Sequence, residues 1–246
     1  MCVGVFDRIF LHDRLGYGAK FEEGIMTMGS LALAMLGIMC FAPVLGAVLT
    51  PVLSPFYKCI GADPAMIAGS LLGTDMGGYS LALAMTDDYR VCQLSGVYLS
   101  TMMGTTIVFT IPVSLGIICK EDKKYLAQGI LAGFIAIPFG VIVSGVIAGF
   151  EIWFIIRNLI PSIVLSLILV FGLLKAPGIT MSAFNVLAGG INVLVTVCLA
   201  AVIIQELGGI TLIPGMEPAG PQIQAIGVIA LTLAGASYGS FYLQIP

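Results

Sequence analysis

Charged residues are scarce in this chain: Asp, Glu, Lys and Arg together make up 9% of its 246 residues. A soluble domain carries about a quarter, so this chain cannot clothe a surface in water. Histidine and tryptophan occur once each, as His12 and Trp153. The six cysteines (Cys2, Cys40, Cys59, Cys92, Cys119, Cys198) form no C-x-x-C pair. They read as small apolar packing residues, and neither a disulfide nor a metal site is supported. There is no Walker loop, zinc spacing or dinucleotide fingerprint, and no cofactor is implied. Gly235-Ala236-Ser237-Tyr238-Gly239 fits the G-x-S-x-G nucleophile elbow. That motif needs a strand–turn–helix setting and a His partner, whereas here it lies in an apolar run and His12 is far away in the chain. The residues give no case for an enzyme. No basic patch suggests nucleic acid, the net charge of −3 says little in a membrane, and the first residues lack the cationic head and cleavage site of a secretory signal.

What fills the chain instead is apolar sequence, 59% hydrophobic with a mean hydropathy of +1.10. The apolar runs are continuous and at least ~20 residues long, which selects membrane helices over the alternating strands of a barrel. The expectation is an all-α, polytopic integral membrane protein, a single transmembrane domain over 1–246. Residues 1–24 form a cytoplasmic lead-in, and seven hydrophobic segments follow, at about 25–50, 66–86, 93–118, 126–150, 153–174, 183–205 and 223–245.

The basic residues test this topology, because Lys and Arg favour cytoplasmic loops. If all seven segments cross, the basic residues divide evenly and set no orientation. If 66–86 or 93–118 enters and leaves on the same side, the lead-in, Lys120–Lys124 and Lys175 fall together. One of these two segments is therefore expected to be re-entrant or broken. Segment 66–86 has five Leu or Ile, worth about −0.5 kcal/mol each, against about +3 kcal/mol for Asp75. It has little drive to insert alone, and Gly77-Gly78 is the expected break.

Asp75 is the first candidate for function, since a carboxylate at bilayer depth usually marks an ion or substrate pathway. In a continuous helix Gly69, Gly73 and Gly77 would form one packing stripe, with Asp75 opposite and Tyr79 a turn along. Thr74, Gly77, Gly78 and Tyr79 add hydroxyls and backbone access, as in the broken helices of cation sites. The plain alternative pairs Asp75 with Arg157. The second candidate is Gly104 to Pro112, where Pro112 frees carbonyls near Thr105, Thr106 and Thr110; those threonines could equally bond back to their own helix. Arg157-Asn158 with Pro161 reads as another interrupted place. Glu22 and Glu23 suit a helix N-terminus, and Asn185 and Asn192 suit interhelical hydrogen bonds.

Phe21-Glu22-Glu23-Gly24, Met28 to Met35, Asp75-Met76-Gly77-Gly78-Tyr79, Thr106 to Pro112 and Leu212-Ile213-Pro214-Gly215-Met216 occur in that order. On these motifs the chain resembles the ethanolamine utilization permease family, EutH, over nearly its whole length. The resemblance implies a multi-pass protein of the bacterial plasma membrane that brings in ethanolamine as a carbon and nitrogen source. Its partners would be ethanolamine and the lipid bilayer, with a homo-oligomer left open. The protonated amine has a basicity like that of lysine and suits Asp75, with Thr74, Tyr79, Thr105 and Thr106 as polar wall and Gly77 and Gly78 as the backbone opening. It has no need of the aromatic cage that quaternary ammonium groups use. Against this pattern the chain lacks a first helix and a C-terminal part, and would hold half of a two-repeat site. Two other readings stay open: a cation-coupled transporter of another small solute, and a non-transporting, incomplete membrane protein.

Overall fold

The computed structural model describes residues 2–10, 12, 14, 16–119 and 122–229, and these form helices and connections with no strand among them. Helix α1 (Cys2–Phe10) lies against the start of α2 (Tyr17–Ile60), where Arg8 pairs with Glu22. That pairing is the chief reason the Glu22 carboxyl sits below its ordinary value. Because α2 begins at Tyr17, Glu22 stands beyond the first turn, and Arg8 rather than the helix terminus is its partner. The 44 residues of α2 extend about 66 Å at 1.5 Å per residue, roughly twice the hydrocarbon thickness. Its apolar stretch is Met35–Ile60. The helix thus starts well inside the expected lead-in.

The segment expected to break does break. Helix α3 (Met66–Leu71) stops at Leu72, a 3₁₀ turn covers Thr74–Met76, and α4 (Gly78–Met85) follows. Gly77, at φ 82°, makes the bend, a left-handed conformation open to glycine at little cost. The interruption is longer than the expected Gly77-Gly78 pair: it begins at Leu72-Gly73, and Gly78 already belongs to α4. The two half-helices form a hairpin whose ends meet, since the Thr86 hydroxyl donates to Asp63 Oδ2 at 3.0 Å. Asp63 also accepts from Ala65 N at 2.8 Å, and Asn158 Oδ1 accepts from Asp63 N at 2.9 Å. The segment thus enters and leaves at one end of the bundle, one of the two outcomes expected from the distribution of basic residues. The single glycine stripe does not form, because Gly69 lies before the break while Gly73 and Gly77 lie within it.

Next comes a span of unusual winding: α5 (Tyr89–Gln93), π-helical stretches at Leu94–Gly104 and Thr106–Thr110, and α6 (Ile111–Ile117). Asp88 caps α5 by accepting from Arg90 N. Pro112 cannot donate to the carbonyl a turn before it, and the chain stays helical there: the wide winding begins far upstream at Leu94 and gives way to α6 at Ile111. The Thr105 hydroxyl donates to Ser100 O at 3.1 Å, five residues back, and the Thr106 hydroxyl to Met102 O.

Helices α7 (Lys123–Ile147), α8 (Ile152–Lys175) and α9 (Pro177–Gly208) complete the long elements. Helix α8 runs unbroken through Pro161, so no interruption forms at Arg157-Asn158; Asn158 instead holds the Asp63 turn. Asn185 and Asn192 are exposed on α9 rather than buried between helices. The described residues end in a helix, α10, over 219–229. The serine-centred motif at 235–239 lies outside the described residues, as does most of the expected 223–245 segment.

Among the described residues five helical stretches are long and apolar enough to cross a membrane: Met35–Ile60, Tyr89–Leu115, Tyr125–Ile147, Ile152–Lys175 and Pro177–Gly208. The hairpin and the partly described last segment account for the difference from seven. The main core sits where the hairpin meets the π-helical span, α7 and α8, around Met66, Leu72, Leu99, Met103, Phe134 and Leu159.

Candidate functional site

The hairpin reaches its position by close backbone approach. A Cβ on Gly104 would stand 2.0 Å from the Leu72 carbonyl oxygen, and one on Gly77 would stand 1.6 Å from Ile38 Cγ2 of α2. The bent backbone is then tied down by hydroxyls. Ser100 donates to Leu72 O at 2.6 Å, Thr74 to Gly96 O at 3.2 Å, and Ser95 to Ala65 O at 2.6 Å. Ser70 and Ser162 share a hydrogen bond of 3.0 Å. Buried backbone that leaves its helix must find partners inside the protein, and these serines and threonines supply them.

On its other side the hairpin faces a cavity of about 950 Å³ between α4, α2 and α10. Thr74, Tyr79 and Ser80 line it from the hairpin, and Glu217 and Gln222 from the loop and helix after α9. The α2 wall includes Met35, Met39, Pro43, Ala47 and Pro51, one stripe at four-residue spacing. Pro43 and Pro51 cannot supply the N–H groups that would close on the carbonyls of Met39 and Ala47. Apart from Thr50 the α2 side chains of this wall are apolar, and the carbonyls of Met39 and Ala47 are left without their usual helical donors.

Of the residues expected to carry function, Thr74 and Tyr79 line the cavity, while Gly77 and Gly78 are buried behind it. Thr105 and Thr106 belong to the π-helical span and are not among the lining residues; their hydroxyl protons are directed to carbonyls of their own helix. The Asp75 backbone forms the middle of the 3₁₀ turn, and its side chain lies outside what the structure describes. Arg157 packs against Gly61, at the entrance of the hairpin. With Lys58, Arg90, Asp63, Asp88 and Glu151 it lines a separate pocket of about 550 Å³ there. At this end the Arg90 guanidinium grips Asp88 through two contacts, 2.9 and 3.2 Å, and holds its carboxyl below the usual range.

Sequence reasoning missed Glu217, Gln222 and the two α2 prolines. A signal was present: Glu217 is a carboxylate directly after Leu212-Ile213-Pro214-Gly215-Met216, in a break between two apolar runs. Among the described residues no group of His, Cys, Asp and Glu is arranged to hold a metal ion.

A polytopic helical bundle with a broken hairpin beside a lined cavity defines the chain as an integral membrane protein of the broken-helix kind. Family comparison gives the particular assignment. Residues 1–242 match the model for "Ethanolamine utilisation protein, EutH", and the chain belongs to that family. It is 49% identical over 238 residues to the "Probable ethanolamine permease EutH" of Listeria monocytogenes, covering 96% of this chain and 63% of the relative. It is 46% identical over 226 residues to the "Uncharacterized protein YxeR" of Bacillus subtilis, with 92% and 61% covered. The "Probable ethanolamine permease EutH" of Salmonella typhimurium is 41% identical over 245 residues, with 90% and 60% covered. The chain thus spans about three-fifths of the length of these curated relatives. No solved structure shows a significant match.

Proposed function

We propose that this protein carries ethanolamine, as the protonated primary amine, across the bacterial plasma membrane. The observation that carries the reading is the cavity of about 950 Å³ that opens along the broken hairpin. It combines an apolar wall for a two-carbon chain with hydroxyls at Thr74, Tyr79 and Ser80 for the alcohol. The relatives' printed names supply the choice of amine. In this proposal Asp75 is an ammonium partner presented by the 3₁₀ turn. Thr74 and Tyr79 are polar wall, and Gly77 and Gly78 let the backbone open. Thr105 and Thr106 keep acceptor lone pairs only. The end bearing Lys58, Arg90 and Arg157 faces outward, because the chain's other basic residues then fall to the cytoplasmic side.

The test is uptake of labelled ethanolamine into proteoliposomes, with choline and serine in excess as competitors. Saturable uptake resistant to both supports the proposal. Uptake that another small solute abolishes would transfer the site to that solute. A protein that folds and neither binds nor moves ethanolamine would overturn the assignment.

A further inference from the structure

We infer that Glu217, on the loop between α9 and α10, is a carboxylate that binds the ammonium group in the cavity. This rests on the amine-transport reading above. The loop after Gly208 turns back along α2, and Glu217 N donates to Cys40 O at 2.9 Å. Cys40 is two residues from Ile38, the residue that packs on Gly77 at the break of the hairpin. Two separate interruptions of the helical chain therefore meet the same turn of α2, inside its apolar stretch. A meeting of interrupted segments at depth is where transporters place charged ligands.

The side chain has no structural task that would use it up. The N-terminus of α10 is served by a different carboxylate, since Glu206 Oε1 accepts from Ala219 N at 2.6 Å. Glu217 Oε2 accepts from Gln222 Nε2 at 2.6 Å, which fixes the carboxylate's direction without neutralising it. Glu217 is exposed and lines the cavity, and it is the one charged residue among the described residues that do so. Among the described residues no basic side chain lies within ion-pair distance of it. An anionic group at membrane depth is costly without a counter-charge. A small cation that offers three N–H donors supplies that charge, with Glu217 Oε1 and the Met39 and Ala47 carbonyls freed by Pro43 and Pro51 as acceptors. A quaternary ammonium has no N–H to give, so this arrangement selects primary amines.

The experiment is equilibrium binding of labelled ethanolamine to the purified full chain in detergent, for the unchanged protein, E217Q, E217D and D75N. Size-exclusion profiles serve as the folding control. A charge-assisted hydrogen bond of the usual strength predicts that E217Q binds at least about tenfold more weakly. E217D, which keeps the charge, recovers much of the loss, and choline competes with none of the folded forms. Should E217Q fail to fold, E217D and Gln222→Leu carry the comparison, each expected to weaken binding severalfold while leaving the elution profile unchanged. Ethanolamine binding by E217Q equal to that of the unchanged protein, with loss only in D75N, overturns the role of Glu217 and leaves the proposed function standing. Absence of binding by the unchanged, folded protein overturns both.

Discussion

Two regions of this molecule solve the membrane problem in opposite ways. Helices α7, α8 and α9 are regular, strongly apolar and largely uncovered: only 22% of the most apolar window of α7 or of α9 is buried in the protein. The hairpin and the π-helical span are less apolar and irregular, yet 56% of the corresponding window of Tyr89–Leu115 is buried. Lipid accepts a helix whose backbone bonds are closed within itself, whereas bent or widened backbone needs protein around it. The regular helices form the wall, and the irregular pair is held inside it. The hairpin also lines the cavity on which the proposed function rests, through Thr74, Tyr79 and Ser80.

The largest expected break of this contrast comes from adding a side chain to the irregular pair. Gly104→Val would drive its Cβ into the Leu72 carbonyl. It should cost about 3 kcal/mol or more, the upper range for overpacking, and lower the unfolding midpoint in detergent steeply or abolish a monodisperse peak. Gly189→Ala on α9, where nothing lies within 4 Å of the new Cβ, should be neutral or raise stability by up to about 1 kcal/mol through helix propensity. Equal losses at the two sites would erase the distinction.

A middle-sized effect is expected at the hairpin's closure. Asp63→Ala removes the acceptor of both Thr86 Oγ1 and Ala65 N, a loss of about 1–2 kcal/mol. Thiol labelling of single cysteines placed at 62 and 87 should nevertheless still find both on one side of the membrane. Reaction of the two from opposite faces would show a crossing segment and undo the re-entrant description.

The smallest effect is at the rim. Arg90 holds the Asp88 carboxyl below its ordinary value, so the pair contributes fully above about pH 4, the unfolded carboxyl's range. The contribution is lost as pH falls through the lowered value. Being exposed, the pair contributes little. The difference in unfolding midpoint between the unchanged protein and Asp88→Asn should be small at pH 7 and vanish in acid, with Asn still able to cap α5.

How much of this was legible in the sequence follows the same division. The regular helices declare themselves by length and apolar content, and the break near Asp75 by its poor insertion energy and its glycines. The even split of basic residues across seven crossings points to a re-entrant or broken segment. Local reading failed where distant partners decide. Pro112 opens a regular helix after a widened stretch and Pro161 leaves α8 continuous, although each is a proline in an apolar run. The different outcomes reflect packing and hydroxyl bonding rather than the proline itself. Glu217 was overlooked because a carboxylate in a connecting loop looks like solvent-facing polarity until the loop is seen to fold back on Cys40.

The clasp between Asp63 and Thr86 also bears on how the chain is made. A segment closed at one end of the bundle does not have to draw its tip, and the following loop with Asp87, Asp88 and Arg90, through the hydrocarbon. During synthesis it can wait at the surface while α2 and the Tyr89–Leu115 span are laid down, and then slide between them as they close. An aspartate-bearing stretch with little drive to insert by itself is thereby free to enter after its neighbours, into a slot that they form.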